Sequence, residues 1–505
     1  DDLYESDIKE ELMSEEDAKK ELLVSLPIRI DGRSVTMEVR EGEDIDEAVV
    51  FFCRSHDLNL TSDGLALRKA AYESLGARQK GHERDVSAAC VVRVLIVAPS
   101  LMSGGLGDDA IVNSLLENLR LSFSGQDNTC TLSLTLGLKS TKDSDHFQHY
   151  ALQLYQTMAE DIVDISQAWY ADGDGAAFTA LAQSFDWVFF TPTDRLDGYY
   201  GCDGNAMYWL RNIYAAAESS NVTVTGYSFD IQRARADCPA SVDALRVMAP
   251  VSSIRWLPRD LGSYESTVLA MGGERSHVRR AADVAFFLSP APRDSPQWAH
   301  SRIQHAISWV RARRAAGRRV VVLNANVHDN AAVDREEYFA HTVHMLREVI
   351  ATGLVSVLLL PHDFRVQKDG SSDASSASRL YTAFTGAALE DVHLCSENAS
   401  VPSERFFSAR HVKSIVQEVD LVISGRMHLA ICALSAGVPA VVFAHQPKYT
   451  ELMDLFGVDD AVLPAAEIQD GAAMAEFALG WCANEERLSR TRRLIEGAQR
   501  GVRSR

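Results

Sequence analysis

Short apolar runs recur along the chain, each followed by a turn and then by a stretch with helical spacing. In the first half they are Val91–Ala98, Thr131–Leu136, Trp187–Phe190 and Val222–Thr225. In the second half they are Val320–Leu323, Val355–Leu360, Leu421–Ile423 and Ala440–Phe443. The runs are continuous and rich in β-branched residues, not alternating, which is the pattern of strands covered by helices on both faces. Between them the spacing predicts helices over Ile111–Leu119, Met207–Ala217, Ile303–Ala316 and Tyr338–Thr352, and a long helical region over Phe147–Trp169. Ser289–Trp298, with Pro290, Pro292 and Pro296, separates the two sets. The pattern predicts an α/β chain of two Rossmann-like domains, 90–290 and 299–480, facing each other across a cleft, with a helical tail over 481–505.

Residues 1–80 read differently. Ser14 with Asp17 looks like an N-cap before an acidic helix through Ala18–Val24, which Pro27 ends. Ile28–Ile30, the Asp31-Gly32 turn and Val35–Val39 predict a β-hairpin, and Ile45–His56 an amphipathic helix. This is a small α+β accessory module without a catalytic constellation, joined to the rest by a polar, basic linker.

The net charge of −20 argues against non-specific nucleic-acid binding and against docking on anionic membrane. An anionic ligand therefore needs a local basic pocket. The eight cysteines are widely scattered, with neither zinc spacing nor the density of a disulfide scaffold, so no metal is expected. No apolar run approaches the ~18 residues of a membrane span, and no signal peptide is present. The first residue is Asp1, which is compatible with an upstream segment or anchor. Sequons at Asn59, Asn221 and Asn398 are compatible with a secretory lumen, and the cytoplasm is the alternative.

The most informative stretch is Asp420–Phe443. Leu421–Ile423 predicts a buried strand, Ser424 a helix N-cap, Met427–Ser435 a short apolar helix, and Gly437 the left-handed residue at its end before Pro439. Arg426 and His428 then stand past the carboxyl end of a strand and at a helix N-terminus, where α/β sheets bind ligands and helix ends favour anions. Such residues in an apolar unit form either an anion site or an internal ion pair with a buried acid. Earlier, Ser103-Gly104-Gly105-Leu106-Gly107-Asp108 follows a strand and opens a helix, a phosphate-cradling arrangement that also serves close packing. Lys368–Ser378 is serine-rich and predicts a mobile loop.

Taken in order, Gly104-x-x-Gly107-Asp108, Arg259-Asp260-x-x-Ser263, Asp283-x-Ala285-Phe286, Pro361-His362, Ser424-x-Arg426-x-His428, Gly437-x-Pro439 and Lys448 resemble the polysaccharide pyruvyl transferase family over roughly residues 91–460. The resemblance implies a glycosyltransferase-B-like (GT-B-like) fold. It implies transfer of pyruvate from phosphoenolpyruvate to hydroxyls of a glycan as a ketal, with no cofactor beyond that donor. Two departures lie on the acceptor side. Gly105 stands where the family commonly has Asn, and Thr191-Pro192-Thr193-Asp194 where it has a glycine cluster.

On this reading Arg426 clamps the donor carboxylate through two bonds and Lys448 meets the phosphate as a point charge. His428 supplies a proton near neutral pH, and Asp108 is the base, with helix capping as its structural alternative. Ser424, Arg259, Ser263, Gly104, Gly107 and His362 are further substrate-binding candidates. For Arg259 the alternative is an ion pair with Asp260 that fixes its loop, for His362 a structural histidine, and for Lys448 a solvated lysine. The partners implied are phosphoenolpyruvate and a glycan, with no nucleic acid; a homo-oligomer is compatible. Two other classes fit the same pattern. One is a nucleotide-sugar glycosyltransferase releasing a nucleoside diphosphate. The other is a non-catalytic protein acting in binding or assembly through its amino-terminal module.

Overall fold

The computed structural model describes residues 22–30, 33–40, 48 and 52, and then 90–503 except 99–104, 125–129, 139–154, 156–157, 171–174, 194, 197–204, 228–238, 294–299, 325–333, 365–371, 385–389, 396–406 and 445. The chain forms two compact units, one up to Ala89 and one from Cys90 to Arg503.

In the first unit β1 (Leu22–Ile30) pairs antiparallel with β2 (Arg33–Arg40). The hairpin is longer than expected. Leu22–Val24, assigned above to the end of a helix, is strand, and Pro27 lies inside β1 rather than ending a helix. The reason is alternation. Val24, Leu26 and Ile28 sit opposite Val39, Met37 and Val35, and Met37 and Val39 are buried. Ala48 and buried Phe52 are helical. The acidic helix before Leu22 and the linker after it lie outside the described residues.

The second unit has two halves. The first comprises β3 (Cys90–Val97), α1 (Leu106–Phe123), β4 (Cys130–Leu138), β5 (Asp161–Asp164), α2 (Ser166–Tyr170), α3 (Ala176–Ala182), β6 (Trp187–Phe190), α4 (Asn205–Ala217), β7 (Asn221–Tyr227), α5 (Pro239–Met248), β8 (Ile254–Pro258) and α6 (Leu261–Ala270). Its six strands lie in the order β5-β4-β3-β6-β7-β8, all parallel. The second comprises α7 (Ser301–Ala315), β9 (Arg319–Asn324), α8 (Arg335–Ala351), β10 (Val355–Leu359), α9 (Asp373–Thr382), β11 (Val392–Leu394), α10 (Ala409–Val416), β12 (Leu421–Ser424), α11 (Met427–Ser435), β13 (Ala440–Ala444), α12 (Pro447–Leu455), β14 (Val462–Pro464), α13 (Gly471–Cys482) and α14 (Glu485–Arg503). Its six strands, again parallel, run β11-β10-β9-β12-β13-β14. Both sheets thus have the doubly wound order of dinucleotide-binding folds. The fold is two Rossmann-like sheets, as the apolar runs predict.

The central strands carry the core. Val320–Leu323 of β9 and Leu421–Ile423 of β12 are almost wholly inaccessible, as strands covered on both faces must be. The end of α11 follows its sequence. Gly437 has φ 77°, its N–H donates to Leu434 O, and that of Val438 donates to Ala433 O, so the last carbonyls are satisfied by a left-handed cap.

Two further expectations fail. Phe147–Trp169 is not one helix: within its described residues it contains β5, an edge strand of only four residues bounded by aspartates. Lys368–Ser378 is not simply loop, because α9 begins at Asp373 behind a Ser372–Ser375 capping box. Finally, Cys90 and Cys130, paired in register at the amino ends of β3 and β4 with Cα atoms 4.3 Å apart, form a disulfide. Among the described residues no helix is long and apolar enough to cross a membrane.

Candidate functional site

Each sheet reverses its strand order at its middle, between β3 and β6 and between β9 and β12. Crevices at the carboxyl ends of such strands are where these folds bind ligands. Nearly every residue singled out from the sequence lies at such an end. Gly107 and Asp108 follow β3, Arg259 follows β8, His362 follows β10, Ser424 ends β12 with Arg426 and His428 just after it, and Lys448 follows β13. Gly104 lies outside the described residues.

The two halves touch through this set. Gly105, the N-cap of α1, forms a bridge with Asp363, and Leu106 N–H donates to His362 O at 3.3 Å. Ala409 N–H donates to Asp109 at 2.6 Å and Gly262 N–H to Glu451 at 2.8 Å. His428, in the first turn of α11, rests against Gly107, where a Cβ would fall within 3.0 Å of the imidazole. Gly107 is therefore glycine because His428 needs the space.

His428 Nε2 lies 3.3 Å from Arg259 Nη1 and 3.5 Å from Asp283 Oδ2. Arg259 and Asp283 pair at 2.8 Å with both side chains 3% exposed. Burial would push the Asp283 carboxyl up; Arg259 and then His428 outweigh it and hold it well below the usual carboxylate range. The same imidazole nitrogen thus has a donor and an acceptor within reach. Protonated, it can donate to Asp283; unprotonated, it can accept from Arg259. Arg259 is the ion pair of the alternative reading, but with Asp283 rather than its neighbour Asp260. Asp260 instead caps α6, accepting from Ser263 N–H at 2.7 Å, and Ser263 is buried there.

Arg426 departs from the two-bond clamp. Its Nη2 donates to Asp373 at 2.8 Å, its Nε to the other oxygen of Asp373 at 3.3 Å, and Nη2 also lies 3.2 Å from Asp363. The forked edge that would grip a donor carboxylate is held by buried aspartates. Ser424 is not the helix N-cap either: Arg426 is, without a side-chain cap. The Ser424 hydroxyl, wholly buried, accepts from Arg426 N–H at 2.8 Å and donates to Arg426 O at 3.0 Å, so it shapes the turn. His362 is buried, and its imidazole is pushed down to about 3, first by burial and then by the charges of His428 and Arg426. It is neutral at physiological pH and works through its backbone. Asp108 sits half-buried in the first turn of α1, and its neighbour Asp109 is buried. Asp109 accepts from Asn113, Tyr155 and Ala409; burial raises its carboxyl and these bonds offset only part of that.

Beside the Arg259–Asp283 pair opens a hollow of about 330 Å³, continuous with solvent, lined by the cations Arg259, Arg280 and Lys448, the acids Asp260, Asp283 and Glu451, and apolar side chains such as Met427 and Leu452. Glu451 is raised by burial and by Asp260, with which it shares a hydrogen bond. Thr193 is buried with φ 54°, an uncommon conformation for a β-branched residue.

Asp363, Asp373, Asn324, Arg280 and Glu451 escaped the sequence reading. Asp363 adjoins His362 at a strand tip, and Ser372-x-x-Ser375 is a capping signal that places Asp373 at a helix start. Nothing local marks the other three.

Residues 258–447 match the family model of polysaccharide pyruvyl transferase, a span that runs from the end of β8 to the start of α12 and holds Arg259, Asp283, Arg426 and His428. No curated protein matches the chain in sequence. Among solved structures, a provisionally assigned UDP-N-acetylglucosamine 2-epimerase from Listeria monocytogenes is similar with a TM-score of 0.51 at 10% identity, over 80% of this chain and 91% of that one. This likeness concerns the fold alone. Fainter ones are a UDP-GlcNAc 2-epimerase from Neisseria meningitidis (TM-score 0.46, 10% identity, 82% and 99% covered) and ADP-heptose heptosyltransferase II from E. coli (0.40, 11%, 78% and 100%). The architecture is GT-B-like.

Proposed function

We propose, with the family match over residues 258–447 as the premise, that the chain moves pyruvate from phosphoenolpyruvate to two hydroxyls of a glycan, leaving a cyclic ketal and inorganic phosphate. One observation carries the reading most directly. His428 of the second half is seated against Gly107 of the first, with a buried Arg259–Asp283 pair at its Nε2.

In this reaction one sugar oxygen bonds to C2 of the donor while C3 takes a proton and becomes a methyl group. A second sugar oxygen then displaces phosphate at C2, and that hydroxyl's proton leaves with the phosphate. His428 is the proposed donor of the proton to C3; solvent returns that proton to the imidazole, and Asp108 passes to solvent the proton it takes from the first hydroxyl. Asp108 is the proposed base for the first hydroxyl. Arg280, Lys448 and Arg259 supply the charges for the donor's phosphate and carboxylate, preorganised and without a metal. Ser424 and His362 support the turns that carry these groups. The amino-terminal unit is assigned no part in the chemistry.

The full chain incubated with phosphoenolpyruvate and a β-galactoside tests this. The expected products are inorganic phosphate and a pyruvylated sugar, and His428→Asn lowers the rate by ~10²-fold or more in folded protein. Release of a nucleoside diphosphate from a nucleotide sugar, with no phosphoenolpyruvate-dependent product, refutes the reading.

A further inference from the structure

Asp373 stands out among residues that the reaction itself does not use. It is buried at the first helical position of α9, where the helix end stabilises its charge. Four donors converge on its carboxylate. Oδ1 accepts from Arg426 Nη2 at 2.8 Å. Oδ2 accepts from Asn324 Nδ2 at 3.0 Å, from His362 N–H at 3.2 Å and from Arg426 Nε at 3.3 Å. These donors come from the ends of β9, β10 and β12, three neighbouring strands in the second sheet. Asn324 Nδ2 also donates to Leu360 O at 3.0 Å, so both its partners are acceptors and the amide orientation is determined.

We propose that Asp373 is a positioning residue for the catalytic cleft, acting on His428 by two routes. One runs through Arg426, the N-cap of the helix whose first turn carries His428. The other runs through the His362 backbone, which accepts from Leu106 N–H, next to the Gly107 that receives the imidazole. Both routes shift the reacting geometry if Asp373 moves. A displacement of about 1 Å at such a remove is enough to cost ~10²-fold in rate. The proposal rests on the transferase reading above.

The test is a double-mutant cycle on the full chain, with phosphoenolpyruvate-dependent phosphate release as the assay. Asp373→Asn keeps the shape, drops the charge and offers one acceptor fewer. It is expected to lower kcat/KM about tenfold or more. In an Arg426→Lys background the same change is expected to cost clearly less, because one of its two routes is already broken. Equal losses in both backgrounds, with a lower melting temperature as the main effect, mean that Asp373 only stabilises and overturn the proposal. Should Asp373→Asn not fold, Asp373→Glu carries the test. It keeps the charge but lengthens the arm, and unchanged kcat/KM in that variant also overturns the proposal. A second readout needs no substrate. The Arg426 Nε–H resonance should be protected from exchange in the wild-type chain and exposed in Asp373→Asn; equal protection in both refutes the contact. A wild-type chain without phosphate release would refute the transferase reading, while the resonance still decides the role of Asp373.

Discussion

The imidazole of His428 occupies the space that a side chain on Gly107 would fill. One residue belongs to the first turn of α1 and the other to the first turn of α11, so the contact joins the amino ends of two helices from different halves. Both helix ends contribute partial positive charge to this junction.

Gly107→Ala should separate folding from chemistry. Alanine suits a helix better than glycine by about 1 kcal/mol, so α1 itself is not weakened. The added methyl displaces His428. Turnover is expected to fall by ~10²-fold or more with the far-ultraviolet dichroism unchanged. Wild-type rates in this variant would mean that the position of His428 does not matter to the reaction.

Arg426→Ala should act first on stability. It leaves Asp363 and Asp373 buried without their counter-ion, a change that costs about 3–5 kcal/mol. Denaturant midpoints give the number. A variant as stable as the parent would show that water replaces the arginine.

Acidity should tighten one contact between the halves. Glu451 is raised, so the folded chain holds its proton to higher pH than the unfolded chain. The stability this contributes is fully present below the ordinary glutamate range and is lost as pH rises through the folded value. Glu451→Gln, permanently neutral, should flatten that part of the stability–pH curve. Asp283 works in the opposite sense: its lowered carboxyl stabilises the fold above the ordinary aspartate range, and that stability is lost as pH falls through the depressed folded value. Urea midpoints measured across pH in the parent and the variant check both signs.

The disulfide should stabilise the unit that begins at Cys90. It closes a loop with a sequence separation of 40, for which the chain-entropy estimate is about 3–4 kcal/mol. Replacing both cysteines by serine, or adding reductant, should lower the denaturant midpoint accordingly. Equal midpoints with and without reductant, together with two extra titratable thiols, would show that the bond does not form.

The sheets were legible in the sequence because buried parallel strands are continuous β-branched runs, as in Val320–Leu323 and Leu421–Ile423. The strands β5, β8, β11 and β14 were not; β11 and β14 have only three residues each. Asp161-Ile-Val-Asp164 is too short, and Ile254-Arg-Trp-Leu-Pro258 is broken by an exposed arginine. Arg426 and His428 were legible because polar residues in an apolar unit are costly and so call for a reason. Their partners were hidden by distance along the chain: Asp373 lies 53 residues from Arg426, and Arg259 lies 169 from His428. Cys90 and Cys130 meet only because β3 and β4 align in register, which scattered spacing does not reveal.

The seam at Gly105–Asp363 and Leu106–His362 is made by main chain on both sides. An alanine scan would pass over it, because truncating a side chain leaves the peptide groups in place. Proline is the substitution that would find it. At position 106 it removes a hydrogen that spans the halves there, while remaining tolerable at the first position of a helix. This stretch of the join is therefore recorded in the course of the backbone, and a chain could keep it while sharing few of these side chains.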